Sequence, residues 1–264
     1  MKIRTKVAML TLPIVAACGG GGGDGPCMQA TSAGWVACTP APKASTVIPE
    51  GIWGGGTSTG LAVSTLVLEN GQYFIVPTST SGVGLVEGVM TASGGNFSDS
   101  AAVAYPSSDV PVAATTSGSF TAKKSLSGTV AAAQSLSSPF PQGTTSVTFN
   151  GDYNSLYDSP ATLSEAQGTW TGQTEASSVP VSLTVAADGT FTGANGTCTF
   201  SGSVAPRSTG KHVLDGKVTF NSSSCLLGSG SSLNFEAVVS GNQLVAAGVT
   251  SQRDHAFVVL ATKG

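Results

Sequence analysis

Apolar and polar residues alternate along most of this chain with a period of two. In VSLTV, Val181, Leu183 and Val185 share one face while Ser182 and Thr184 share the other. TCTFSGSV alternates through Cys198, Phe200 and Val204, and SLNFEAVV through Leu233, Phe235, Ala237 and Val239 before a Gly241-Asn242 turn. SGSFTAKKSLSGTV and TTSVTFNG carry the same signature earlier in the chain. Successive strand side chains point to opposite faces, so the pattern predicts antiparallel strands with one buried and one polar side. Helical periodicity is nearly absent. The exception is SPATLSEAQG, where Ser159 is placed to cap, Pro160 suits the first helical position and Gly168 is placed to end the helix.

The plan is written twice. One copy opens GIWGGGTSTGLAVSTLVLENGQYFIV at Gly51, the other GTWTGQTEASSVPVSLTVAADGTFTG at Gly168. Trp53 and Trp170 lie 117 positions apart, as do Gly55 and Gly172, and Phe74 and Phe191. Asn70-Gly71 and Asp188-Gly189 match with a slip of one. Both pairs tolerate the positive φ that two-residue hairpins demand, so each copy is predicted to begin with a β-hairpin. Each copy holds roughly seven or eight candidate strands, and closing them into a barrel hides their edges. The expected fold is therefore all-β, two tandem small antiparallel barrels, with a β-sandwich as the competing arrangement. The expected organisation is a leader over 1–17, a tether over 18–49, a first barrel over 50–158 and a second over 159–264 with the short helix leading it.

Composition narrows the functions. Charged residues make up 9% of the chain, against about 25% in an average globular domain. The 40% of hydrophobic residues is still ample for a core. Lys2, Arg4 and Lys6 precede the apolar stretch Val7–Ala17. That stretch falls short of the roughly 20 residues a spanning helix needs, but it suits the apolar region of a signal peptide. Losing the leader lowers Lys plus Arg from 11 to 8 against 14 acids, a net charge of about −6. A mildly acidic body with no basic patch argues against nucleic acid and against charge-driven binding to anionic lipid.

The five cysteines are Cys18, Cys27, Cys38, Cys198 and Cys225. Export permits disulfides, and proximity favours Cys27–Cys38 and Cys198–Cys225. No C-x-x-C occurs and His212 and His255 are the only histidines, which leaves a metal site little to stand on.

Val15-Ala16-Ala17-Cys18 resembles the lipobox of bacterial lipoproteins. The resemblance implies lipid on Cys18, and two or more acyl chains anchor stably where one is marginal. Gly19–Gly23 then reads as a flexible spacer between membrane and body. Gly19, where inner-membrane lipoproteins carry Asp, points by the same resemblance to the outer membrane. Gly51-Ile52-Trp53 and Gly168-Thr169-Trp170 resemble the G-x-W opening of lipocalin-like and avidin-like barrels. There the tryptophan closes one barrel end, often beneath an arginine from the last strand, which assigns Trp53 and Trp170 to closure and Arg253 to cover the second. The CGGGG leader, Tyr157-Asp158-Ser159, the run Cys198-Thr199-Phe200, Gly202, Val204, Pro206 and Arg207, and the terminal T-K are similar to a family of Gram-negative Gly-rich lipoproteins with tandem barrels. More distantly, the plan is similar to factor H-binding and transferrin-binding surface lipoproteins, although this chain is far poorer in Lys, Asp and Glu.

Catalytic motifs are thin. GTSTG (Gly56–Gly60) matches G-x-S-x-G in letters, but a nucleophile elbow needs a helix after the serine and LAVSTLVL reads as strand. Asp254 and His255 are neighbours at the start of the last strand, where side chains diverge. Glu87 and Glu236 interrupt apolar strands and either point outward or mark a polar pocket. The expectation is a non-enzymatic, outer-membrane-anchored lipoprotein without a cofactor, held to the membrane by its lipid and binding a protein or glycan partner or serving as an envelope component. The alternative is a lipocalin-like carrier of a small apolar ligand, for which Ala237, Ala246 and Ala261 leave room inside the second barrel.

Overall fold

The computed structural model describes residues 28–31, 34–37, 47–80, 82–106, 110–174 and 177–264. The chain divides into two units, Met1–Lys43 and Ala44–Gly264. The first contains an antiparallel hairpin of β1 (Met28–Thr31) and β2 (Gly34–Ala37), with Met28 opposite Ala37. Cys18, Cys27 and Cys38, and with them the lipid site and the first disulfide, lie outside the described residues.

The second unit holds both repeats. Strands β3 (Gly51–Thr57), β4 (Ala62–Val67), β5 (Gln72–Ser79), β6 (Gly82–Val83), β7 (Leu85–Val89), β8 (Thr91–Ser93), β9 (Asn96–Tyr105), β10 (Val112–Thr121), β11 (Ser125–Leu136) and β12 (Thr144–Asn154) form the first. Eight of them run in the order β3-β4-β5-β7-β9-β10-β11-β12, and β12 pairs back onto β3, closing a barrel. The short β6 and β8 hang from β5 and β9. The second repeat comprises β13 (Gly168–Thr174), β14 (Ser177–Val185), β15 (Thr190–Asn195), β16 (Cys198–Pro206), β17 (Leu214–Phe220), β18 (Ser232–Ser240), β19 (Gln243–Val249) and β20 (Ala256–Lys263), closed in chain order by β13 on β20. The sandwich alternative is thereby excluded.

Two local expectations shift. Both opening hairpins turn through three residues, because Leu68 N bonds Gln72 O and Ala186 N bonds Thr190 O. Each loop ends on a glycine in the left-handed region, Gly71 at φ 86° and Gly189 at φ 83°, the bulged three-residue loop that accommodates strand twist. The linking helix α1 is Leu163–Ala166, capped by Thr162 rather than Ser159. Glu165 Oε2 accepts from Thr162 N at 2.8 Å, a reach-back that favours Thr162 as the start. The Ser159 hydroxyl instead bonds Leu156 O at 2.9 Å, closing a 3-10 turn over Ser155–Asp158. Gly168 begins β13 rather than ending the helix.

The inward faces make two cores. In the second barrel Phe191, Phe200, Phe220, Phe235 and Phe257 meet edge-on or tilted, with centroids 5.4–6.5 Å apart, a favoured aromatic geometry. Inward glycines make the space: a Cβ on Gly193 would strike the Phe200 ring, one on Gly202 the Phe191 ring, and one on Gly216 the Phe235 ring. These glycines therefore let wide rings fill a narrow barrel. Ala237, Ala246 and Ala261 do face inward and are buried, but the rings take the space they leave. The cavity that remains is about 30 Å³ and is lined by apolar residues.

A third core lies between the barrels. Leu66, Phe74 and Val76 from the outer face of the first pack with Val213, Ala247 and Val258 from the second. The run AFVVLATK is apolar on both sides for this reason: Phe257 and Val259 face the lumen and Val258 the neighbouring barrel. Burying such a strand on both faces requires apolar residues at consecutive positions.

Candidate functional site

Both opening tryptophans take equivalent places. Trp53 and Trp170 are buried, and each indole Nε1 donates to the carbonyl four residues upstream, Pro49 at 3.2 Å and Ala166 at 2.7 Å. The last strand of each barrel brings a side chain against the ring from the paired position. Tyr153 meets Trp53 edge-on at 5.1 Å, and Lys263 Nζ lies 5.2 Å from the Trp170 centroid. Lys263, not Arg253, is thus the cation over Trp170. Arg253 precedes β20, in a turn where it takes φ 55°, and its side chain leaves the second barrel altogether.

Arg253 crosses to the first barrel. Its Nε donates to Glu87 Oε2 at 2.8 Å, Nη1 to Ala101 O at 2.8 Å and Nη2 to Glu87 O at 3.1 Å. The Tyr105 hydroxyl returns a bond to Arg253 O at 3.0 Å. Glu87 shares its outward parity with Leu85, so it leaves the first barrel's lumen and enters the contact between barrels. Burial pushes its carboxyl above the usual range, against the lowering influence of Arg253.

Arg207 organises a second cluster. Its guanidinium meets Asp215 at 2.7 Å, Glu69 of the first barrel at 3.2 Å and Glu236 at 3.4 Å. One cation thus serves three carboxylates, and Glu236 has the longest contact. Burial raises the Glu236 carboxyl to about 7; Arg207 opposes the rise, while Asp215 and Glu87 add to it. A third set joins the barrels through Glu50, which accepts from Lys211 at 3.2 Å and from the Tyr157 hydroxyl at 3.4 Å. Both sequence readings of Glu87 and Glu236 therefore hold together: each points out of its own barrel and into a polar seam. Side-chain alternation places them outward, but the facing barrel is what buries them.

Beside Glu236 of the Arg207 cluster lies a cleft of about 220 Å³. Leu66, Phe74 and Val76 from β4 and β5 face Val238 and Val245 from β18 and β19 across it, and Glu236, Ser64, Thr65, Asn154, Ser240 and Gln243 are its polar members. A larger and more open concavity, about 960 Å³, lies on the first barrel across β9–β12 and the end of β3. Ser117, Ser119, Ser127, Thr148 and Asn150 line it and are exposed. Phe97 and Phe149 sit on the lumen side, where a Cβ on Gly118 or Gly128 would collide with their rings. No charged side chain lines this concavity.

Ser58 of GTSTG lies in a turn between two strands, with its Oγ accepting from Thr148 N at 3.1 Å, and no helix follows it. Asp254 Oδ1 lies 3.2 Å from His255 Nδ1 inside a tight turn that Thr250 also bonds. Cys198 and Cys225 form a disulfide with Cα atoms 4.5 Å apart, tying the start of β16 to the loop after β17. Among the described residues no three His, Cys, Asp or Glu side chains converge on one point as a metal set, and no helix is long and apolar enough to cross a membrane.

Strand alternation marks Glu87 and Glu236 as outward but does not identify the second buried face that their strands share with the other barrel. The signal that identifies such a face is the consecutive apolar run, in QYFIV (Gln72–Val76) and AFVVL (Ala256–Leu260), against the strict alternation of VSLTV. No family model matches the chain, and neither the curated proteins nor the solved structures give a match.

Proposed function

We propose that this protein is a lipid-anchored outer-membrane protein without catalytic activity, whose paired barrels present a binding face to a protein or glycan partner. The observation that carries the reading is the contrast between inside and outside. The second barrel's lumen keeps about 30 Å³, far below the roughly 300–1,000 Å³ of pockets for drug-sized ligands. The concavity of about 960 Å³ on the first barrel, by contrast, is open and carries hydroxyl and amide groups among its lining. Neutral donors and acceptors of this kind suit hydrogen bonding to a polar macromolecule. The apolar lumens and the exposed Ser, Thr and Asn outer positions are also the reverse of a membrane-embedded barrel, whose apolar band faces outward. The filled lumen gives the carrier alternative no support.

The test is photo-crosslinking in living cells, with a crosslinking residue at Ser117, Ser127 or Thr148 and a control at Thr184 on the second barrel. Adducts of defined mass at the first three positions and not at Thr184 support the reading. No adduct at any of the three overturns it. Protease shaving of intact cells, followed by the same digestion after permeabilising the outer membrane, reports which side of that membrane the barrels occupy.

A further inference from the structure

We infer that the cleft between the barrels is a binding site for a small organic cation, an amine with a compact apolar body, held by Glu236. This site is separate from the partner face on the first barrel and does not depend on it. Three observations combine. The cleft has volume, about 220 Å³ between β4–β5 and β18–β19. Its walls are apolar on both sides, Leu66, Phe74 and Val76 opposite Val238 and Val245, so a hydrocarbon body gains from entering. Its polar end carries surplus negative charge.

That surplus follows from the ion pairs. Arg207 is shared among Glu69, Asp215 and Glu236, and Arg253 is engaged by Glu87. With Lys211 on Glu50 counted as well, three cations face five carboxylates between the barrels. Glu236 has the longest contact, 3.4 Å to Arg207, and among the described residues its carboxylate accepts no other hydrogen bond. Its side chain is only 16% exposed, and a largely buried carboxylate with one long partner is poorly compensated and gains from a further cation. Ser64 and Gln243 at the rim supply neutral hydrogen-bonding groups. The volume falls below the range of drug-sized pockets, which limits the ligand to roughly the size of an arylalkylamine.

Gly54 lies on the cleft wall, and a Cβ built there meets nothing within 4 Å. A side chain introduced at this position therefore starts from open space on the cleft wall.

The experiment uses the full chain and 2-phenylethylamine as probe, with 2-phenylethanol as its neutral counterpart, titrated calorimetrically at pH 8. Expected is saturable binding of the amine that is at least tenfold tighter than that of the alcohol. Glu236→Gln should weaken the amine at least tenfold and leave the alcohol unchanged. Gly54→Leu should abolish both, with an unfolding midpoint within a few degrees of wild type. Gly54→Leu also keeps the test decisive if Glu236→Gln fails to fold. Absence of saturable amine binding, equal affinity for amine and alcohol, or binding that survives Gly54→Leu would each overturn the proposal.

Discussion

Removing Arg253 tests whether the two barrels depend on each other. Its guanidinium makes three hydrogen bonds to the first barrel, two of them to Glu87. In Arg253→Met these are lost while the stem's packing is largely kept. Glu87, 6% exposed, is left with a buried carboxylate and no cation. Breaking a buried pair from one side costs about 3–5 kcal/mol; because Arg253 is itself 34% exposed, solvent screening lowers the expected loss to about 2–3 kcal/mol. The double variant Arg253→Met/Glu87→Met removes both partners and should cost less than the single one, since no charge is stranded.

The pH dependence gives an independent check. Burial already holds the Glu87 carboxyl above its unfolded value, and losing Arg253 raises it further. A group raised in the folded state contributes stability below its unfolded pKa and loses it as pH rises through the folded one. The deficit of Arg253→Met should therefore widen from pH 5 to pH 8. Urea unfolding followed by tryptophan fluorescence suits the measurement, because Trp53 and Trp170 are buried one in each barrel. A loss below about 0.5 kcal/mol, within the ordinary range for surface changes, or a deficit that narrows as pH rises, would refute the reasoning.

Three further outcomes are expected. Glu236, raised from an ordinary 4.5 to about 7, should make the wild type lose stability between about pH 4.5 and pH 7, by up to roughly 3 kcal/mol at 1.36 kcal/mol per pH unit; in Glu236→Gln that loss disappears, and a pH series of urea midpoints measures it. Replacing both Cys198 and Cys225 by serine should cost about 3.5 kcal/mol on the chain-entropy account for a loop of this length, with the wild type under reductant falling to the variant's level in urea melts. Gly172→Ala puts a methyl against Leu260 O and Ala261 Cα and should destabilise by about 2 kcal/mol or more, whereas Gly54→Ala, in open space, should stay within about 0.5 kcal/mol; thermal melts of the pair separate crowding from the mere loss of glycine.

What the sequence determines here is local. The two-residue period writes the lumen faces of β14, β16 and β18. The Asn-Gly and Asp-Gly pairs write the opening hairpins, although their hydrogen bonds span three residues rather than two. The 117-residue repeat writes a second barrel like the first, down to the tryptophan that donates to a carbonyl four residues upstream. The Cys198–Cys225 pair follows from closeness along the chain. All of these concern neighbours in sequence or on adjacent strands, and elementary strand geometry fixes them.

Tertiary structure alone decides how one closed barrel meets the next. The sequence places Glu87 and Glu236 outward but cannot tell whether water or another barrel covers them. Packing of the outer faces settles that, and with it the high Glu236 pKa. Likewise, Arg253 lies near the last strand in sequence, yet the turn that precedes β20 sends it to Glu87, while Lys263, opposite Trp170 in the strand register, takes the place over the ring. Local pattern specifies what each strand buries, whereas the contacts of Arg253 with Glu87 and of Arg207 with Glu69 exist only once both barrels have closed and docked.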